Sequence, residues 1–110
     1  MEPVAALKEF LQTHPAPWLV GMWTVPKDGS SPDEYTAGYF GLKAESVHFL
    51  EGMVHLTAKD DIAGLSLAEN AIGPVETVRE GVIKFTYHNI LAAPEDFYKP
   101  LVVVVEKTAE

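Results

Sequence analysis

His48 and His55 stand at equal distances on either side of the dipeptide Glu51-Gly52. Imidazole nitrogen suits zinc and copper, so the chemistry this pair offers is metal coordination. Glu51, His88 or Asp60 offers a third ligand. Coordination requires that the two rings share one face, and the residues between them decide that. Val47 to Leu50 and Met53 to Thr57 are apolar-rich runs on either side of a two-residue Glu-Gly link, the pattern of a tight antiparallel hairpin. A two-residue link fixes the register: Leu50 opposes Met53, Phe49 opposes Val54, His48 opposes His55 and Val47 opposes Leu56. Alternation then makes Val47, Phe49, Val54 and Leu56 a core face. His48, Leu50, Met53 and His55 form a mixed, half-exposed face, on which Leu50 and Met53 are candidates for an interface.

Other chemistry is sparser. Asp60-Asp61 with Glu76 or Glu80 are carboxylates of the kind used in acid–base work. Nothing fixes their separation, and turn and capping roles account for the Asp pair. Ser30, Ser31 and Ser66 lack the glycines of a nucleophile elbow. No glycine loop is built to cradle phosphate. No enzyme signature and no cofactor follow from the residues. The aromatic residues are numerous and mainly read as core. If the sheet curves, Trp23, Tyr39 and Tyr87 line a pocket for a small apolar ligand.

The elements that hold these residues are mostly strands. Val4, Leu7, Phe10 and Leu11 recur at helical spacing over 1–13, and Pro3 suits a first helical turn. His14-Pro15-Ala16-Pro17 ends that helix. Trp18 to Val25 and Tyr35 to Lys43 read as strands, joined by a turn-rich loop over 26–34. Gly38 and Gly41 mark a bulge, a bend or a close backbone approach. Over 61–72 two patterns compete. Ile62, Leu65, Glu69 and Ile72 have helical spacing, whereas Leu65 and Leu67 alternate with Gly64 and Ser66, which favours a strand at Ala63 to Ala68.

Val75 to His88 is a second hairpin around Glu80-Gly81, pairing Val78 with Ile83 and Thr77 with Lys84. Its face of Ile83, Phe85 and Tyr87 is apolar, and the opposite face is wet. Residues 89–100 read as a loop. Leu101 to Val105 is apolar on both faces, so it is either a central strand or one covered on both sides. The expectation is one domain over 1–110: a helix at 1–13, then a mainly β unit at 18–106. That unit is an antiparallel sheet or small barrel of six to seven strands.

Composition narrows the partners. Sixteen acidic residues against eight basic ones give a net charge of −8, and Arg79 is the single arginine. The lysines are scattered. Nucleic acid and anionic membrane surfaces both call for clustered Lys and Arg, so neither is an expected partner. The longest apolar run, Leu101 to Val105, falls far short of a membrane span. The opening residues show no basic run before an apolar stretch, so no secretory leader is expected. The absence of cysteine fits a reducing compartment, read as cytoplasmic.

Two resemblances add to this. The run Ala37-Gly38-Tyr39-Phe40-Gly41-Leu42-Lys43-Ala44-Glu45-Ser46-Val47-His48-Phe49-Leu50 resembles the strand–turn–strand segment of pleckstrin-homology-like, GRAM-like bacterial domains, with Lys43 where threonine is usual. The segment from Ile62 to Tyr87 resembles the strands that follow. This resemblance implies a protein-interaction or scaffold module. Leu19-Val20-Gly21-Met22-Trp23 is similar to the Gly-x-Trp opening of lipocalin-like barrels, which also follows a short helix. That similarity implies a closed barrel with a cavity for an apolar ligand. The leading expectation is a non-catalytic interaction or assembly module whose partner is itself or another protein. A small apolar-ligand binder and a metal binder using the His48/His55 pair stand as alternatives.

Overall fold

The chain opens with helix α1, Pro3–Thr13, in a computed structural model that describes residues 2–24, 37–88 and 101–108. Pro3 occupies the first turn, where its missing N–H costs nothing. Leu7, Phe10 and Leu11 are the buried stripe. The end of α1 is tied off locally. The His14 N–H donates to the Phe10 carbonyl at 2.9 Å, and the Thr13 hydroxyl donates to the Glu9 carbonyl at 2.9 Å. The His14 ring stacks on Phe10 with centroids 4.5 Å apart, and the Trp18 indole N–H donates to the His14 carbonyl.

Among the described residues eight strands follow in two antiparallel sheets: β1 Trp18–Thr24, β2 Ala37–Ala44, β3 Ser46–Leu50, β4 Met53–Thr57, β5 Gly64–Ala68, β6 Glu76–Arg79, β7 Val82–Tyr87 and β8 Leu101–Lys107. The five-stranded sheet runs β2-β1-β8-β7-β6 and the three-stranded sheet β3-β4-β5. As its two-sided apolar pattern requires, β8 is central, with Leu101, Val103 and Val105 in the core and Val102 on the other face. Only Glu45 separates β2 from β3, and its N–H donates to the Thr57 carbonyl at 2.8 Å. The chain thus bends from one sheet into the other at a single residue. It returns after β5 through a short turn at Glu69–Ala71 and a bridge between Ile72 and Tyr87.

The core lies between the sheets. Val20, Met22, Phe85 and Val105 face Val54, Leu56 and Leu67, and α1 adds Leu7, Phe10 and Leu11. Helix α1 touches both layers. Lys8 Nζ sits 5.2 Å from the Phe49 ring centroid on β3, while Phe10 and His14 border a groove with Val75, Thr77 and Ile83.

Two expectations are corrected. Among the described residues the six to seven strands are eight, and their sheets are not closed into a barrel. The second hairpin keeps its two-residue link, but Thr77 pairs with Ile83 and Glu76 with Lys84, one residue off the expected register. Val78 is skipped in the pairing and is 49% exposed. A bulge of this kind is tolerated because β6 is an edge strand, where a lost ladder position leaves its groups in water. The competition over 61–72 is resolved as strand β5 flanked by short turns. The loops expected over 26–34 and 89–100 lie outside the described residues, as do the ends at Val25 and Tyr35 of the strands expected there.

Candidate functional site

The first hairpin has the register its link dictates: Ser46 opposite Thr57, Val47 opposite Leu56, His48 opposite His55, Phe49 opposite Val54 and Leu50 opposite Met53. Strand β5 extends it, setting Ala68 beside Met53, Ser66 beside His55 and Gly64 beside Thr57. Val54, Leu56 and Leu67 close the inner face. The outer face is therefore ordered in rows across the strands. Leu50, Met53 and Ala68 form one, His48, His55 and Ser66 the middle one, and Ser46, Thr57 and Gly64 the third.

The middle row has internal structure. His55 Nδ1 and Ser66 Oγ are 2.6 Å apart. The ring leans across β5, since a Cβ built on Gly64 would lie 3.2 Å from His55 Cε1 and 3.4 Å from Nε2. His48 is exposed and, among the described residues, has no hydrogen-bond partner, nor has His55 Nε2. A hydroxyl bonded to imidazole is one element of acyl-transfer chemistry, but that chemistry also needs a group to orient the base and donors for an oxyanion. Among the described residues no carboxylate reaches His55. Likewise, among them no group of three or more His, Asp or Glu side chains is arranged to hold a metal ion. One chain thus contributes two imidazoles on a shared face. Sequence reasoning missed the His55–Ser66 contact because it placed a strand at Ala63 to Ala68 without assigning that strand a neighbour.

Leu50 is 55% and Met53 38% exposed, and they are direct cross-strand partners. The other large exposed apolar side chains among the described residues, Leu19, Ile62 and Val78, lie on other elements. The open positions Ser46, His48, Leu50, Met53, His55 and Ser66 include no Asp, Glu, Lys or Arg. The outer face of the five-stranded sheet is different. It carries Lys43, Lys84 and Glu106, with ion pairs Lys84–Glu76 at 3.9 Å and Arg79–Glu106 at 3.1 Å.

Two of the three aromatic pocket candidates, Trp23 and Tyr87, lie on opposite faces of the five-stranded sheet. Trp23 is on the outer face of the five-stranded sheet, opposite Val102 and over Gly21. Tyr87 is on the inner face, 9% exposed, and its hydroxyl accepts from the Ala68 N–H at 2.8 Å. Tyr39 is the residue skipped between β1 and β2, and its side chain lies outside the described residues.

No protein-family model, no curated protein and no solved structure matches the chain. Among the described residues no helix is long and apolar enough to cross a membrane.

Proposed function

We propose that this protein is a non-catalytic assembly module that pairs with a second copy of itself through the outer face of the three-stranded sheet. The observation that supports this reading is the adjacency of Leu50 and Met53, both exposed, on a face without formal charge. Exposed apolar side chains that cluster on an otherwise polar surface mark interaction sites. The chain carries a net charge of −8, so two copies repel each other over most of their surfaces. An uncharged patch is where that repulsion is weakest.

Sedimentation equilibrium over a wide concentration range, in buffer with chelator, tests this reading. The expected result is a concentration-dependent monomer–dimer equilibrium that Leu50→Glu shifts to monomer. A wild-type protein that stays monomeric at millimolar concentration rules the reading out.

A further inference from the structure

We propose that protonation of His48 and His55 opens the dimer, so that assembly through this face is switched by pH. The inference rests on the assembly reading above and names its regulation.

The make-up of the face is the first reason. Ser46, His48 and Leu50 on β3, Met53, His55 and Thr57 on β4, and Gly64, Ser66 and Ala68 on β5 share it. Among these residues only the two imidazoles are ionisable. Carboxylates stand at the margins: Glu45 before β3, Glu51 in the hairpin link, Asp60 and Asp61 beside Lys59 between β4 and β5, and Glu69 after β5. Along the strand Glu45 and Glu51 are about 10 Å from His48, beyond the screening length of about 8 Å at physiological ionic strength. Lys8 lies over Phe49, on the opposite face of β3. Among the described residues the one histidine–carboxylate contact is His14 with Glu80, on other elements. Nothing on the face therefore offsets a charge on His48 or His55.

The placing of the rings is the second reason. His55 turns over β5, with Nδ1 2.6 Å from Ser66 Oγ and Nε2 against Gly64, on the side of β4 away from His48. The two rings do not converge on one ion, and each takes up its own proton. The Ser66 hydroxyl accepts from Nδ1–H in the charged ring as in the neutral one, so this contact survives protonation. His48 is exposed. In acid the middle row of each chain thus carries two separate cations.

Symmetry is the third reason. An isologous contact sets one patch against the same patch of the other copy. The apolar row drives the contact, so Leu50 of one copy lies against Met53 of the other, with the two-fold axis along the strands between β3 and β4. That axis sets His48 of one copy toward His55 of the other, and marginal carboxylates toward marginal carboxylates. Neutral imidazoles fit such a contact. Charged ones meet like charges from the other copy and lose water, and both effects disfavour the charged form. Protons therefore bind the separated chains better than the dimer. Dimerisation weakens as pH falls through the range of about pH 5 to 8 in which imidazole gains its charge. The overall charge works in the opposite sense, because protonated histidines reduce the net −8 and with it the long-range repulsion. A dimer that loosens in acid thus reports the histidine row.

Sedimentation equilibrium in buffer with chelator, at about pH 8 and about pH 5.5, tests the switch. Circular dichroism at both values checks that the chain stays folded. The wild-type dimer is expected to be weaker by about tenfold or more at the lower pH. The double variant His48→Gln/His55→Gln keeps neutral polar side chains. It is expected to dimerise equally at both values, and more tightly than wild type in acid. Wild-type dimerisation that is unchanged or tighter in acid overturns the switch and leaves the assembly reading standing. A double variant that loosens in acid as wild type does also overturns it, since other groups then carry the effect. A wild-type protein monomeric at both values overturns both proposals.

Discussion

The Tyr87 hydroxyl, on β7 of the five-stranded sheet, accepts a 2.8 Å hydrogen bond from the backbone N–H of Ala68 on β5 of the three-stranded sheet. Strand β5 is an edge, and Ala68 already pairs with Met53 on its other side. The tyrosine thus satisfies an edge donor that no strand meets, and it ties the two layers together. Tyr87→Phe keeps the ring in the core and leaves that donor unmet, at an expected cost of about 1–3 kcal/mol. In urea unfolding the midpoint should fall with the slope unchanged. An unaltered midpoint would mean that water replaces the hydroxyl without loss.

Thr57 presents the opposite situation. It is 5% exposed at the end of β4, and its Oγ1 has no hydrogen-bond partner among the described residues. Valine has nearly the same shape and no hydroxyl to desolvate. Thr57→Val is expected to raise stability by about 1 kcal/mol, read as a higher denaturation midpoint. A destabilised variant would show that the hydroxyl is bonded after all.

What could be read from the residues divides along physical lines. The His48–His55 juxtaposition was legible because a two-residue link leaves one register and alternation does the rest. The same logic failed at Val78, since nothing in Thr77-Val78-Arg79 announces a bulge on an edge strand. The central place of β8 followed from its double-sided apolar run. The pairing of Trp23 with Tyr87 in one pocket did not survive, because parity within a strand does not say which parity faces the core. Trp18, Val20 and Met22 take the inner face of β1 and leave Trp23 outside. His55–Ser66 joins residues on two strands whose adjacency the sequence pattern leaves open, so no local signal marked it.

Trp23 lies across Gly21, two residues earlier on the same face, so closely that a Cβ on Gly21 would collide with the indole ring. Gly21→Ala must push the ring aside, at an expected cost of about 1–3 kcal/mol. Combining it with Trp23→Leu should recover part of that loss, because the obstacle has gone. Coupling between touching residues commonly amounts to about 0.5–3 kcal/mol. Strict additivity in the double-mutant cycle would show that the indole is not what Gly21 accommodates.

The two Glu-Gly links isolate backbone strain from packing. Gly52 has φ +75° and Gly81 φ +81°, both in the left-handed region. Among the described residues a Cβ at Gly52 meets nothing within 4 Å, and one at Gly81 meets only Lys107 Cβ at 3.7 Å. Substitution there costs conformational energy alone. Alanine at either position should destabilise by about 1–2 kcal/mol, the penalty of a left-handed L-residue. Asparagine tolerates that region better, so Gly52→Asn should cost clearly less than Gly52→Ala. Thermal unfolding of the three single variants measures the difference. Equal losses for alanine and asparagine would locate the glycine requirement in something other than the sign of φ.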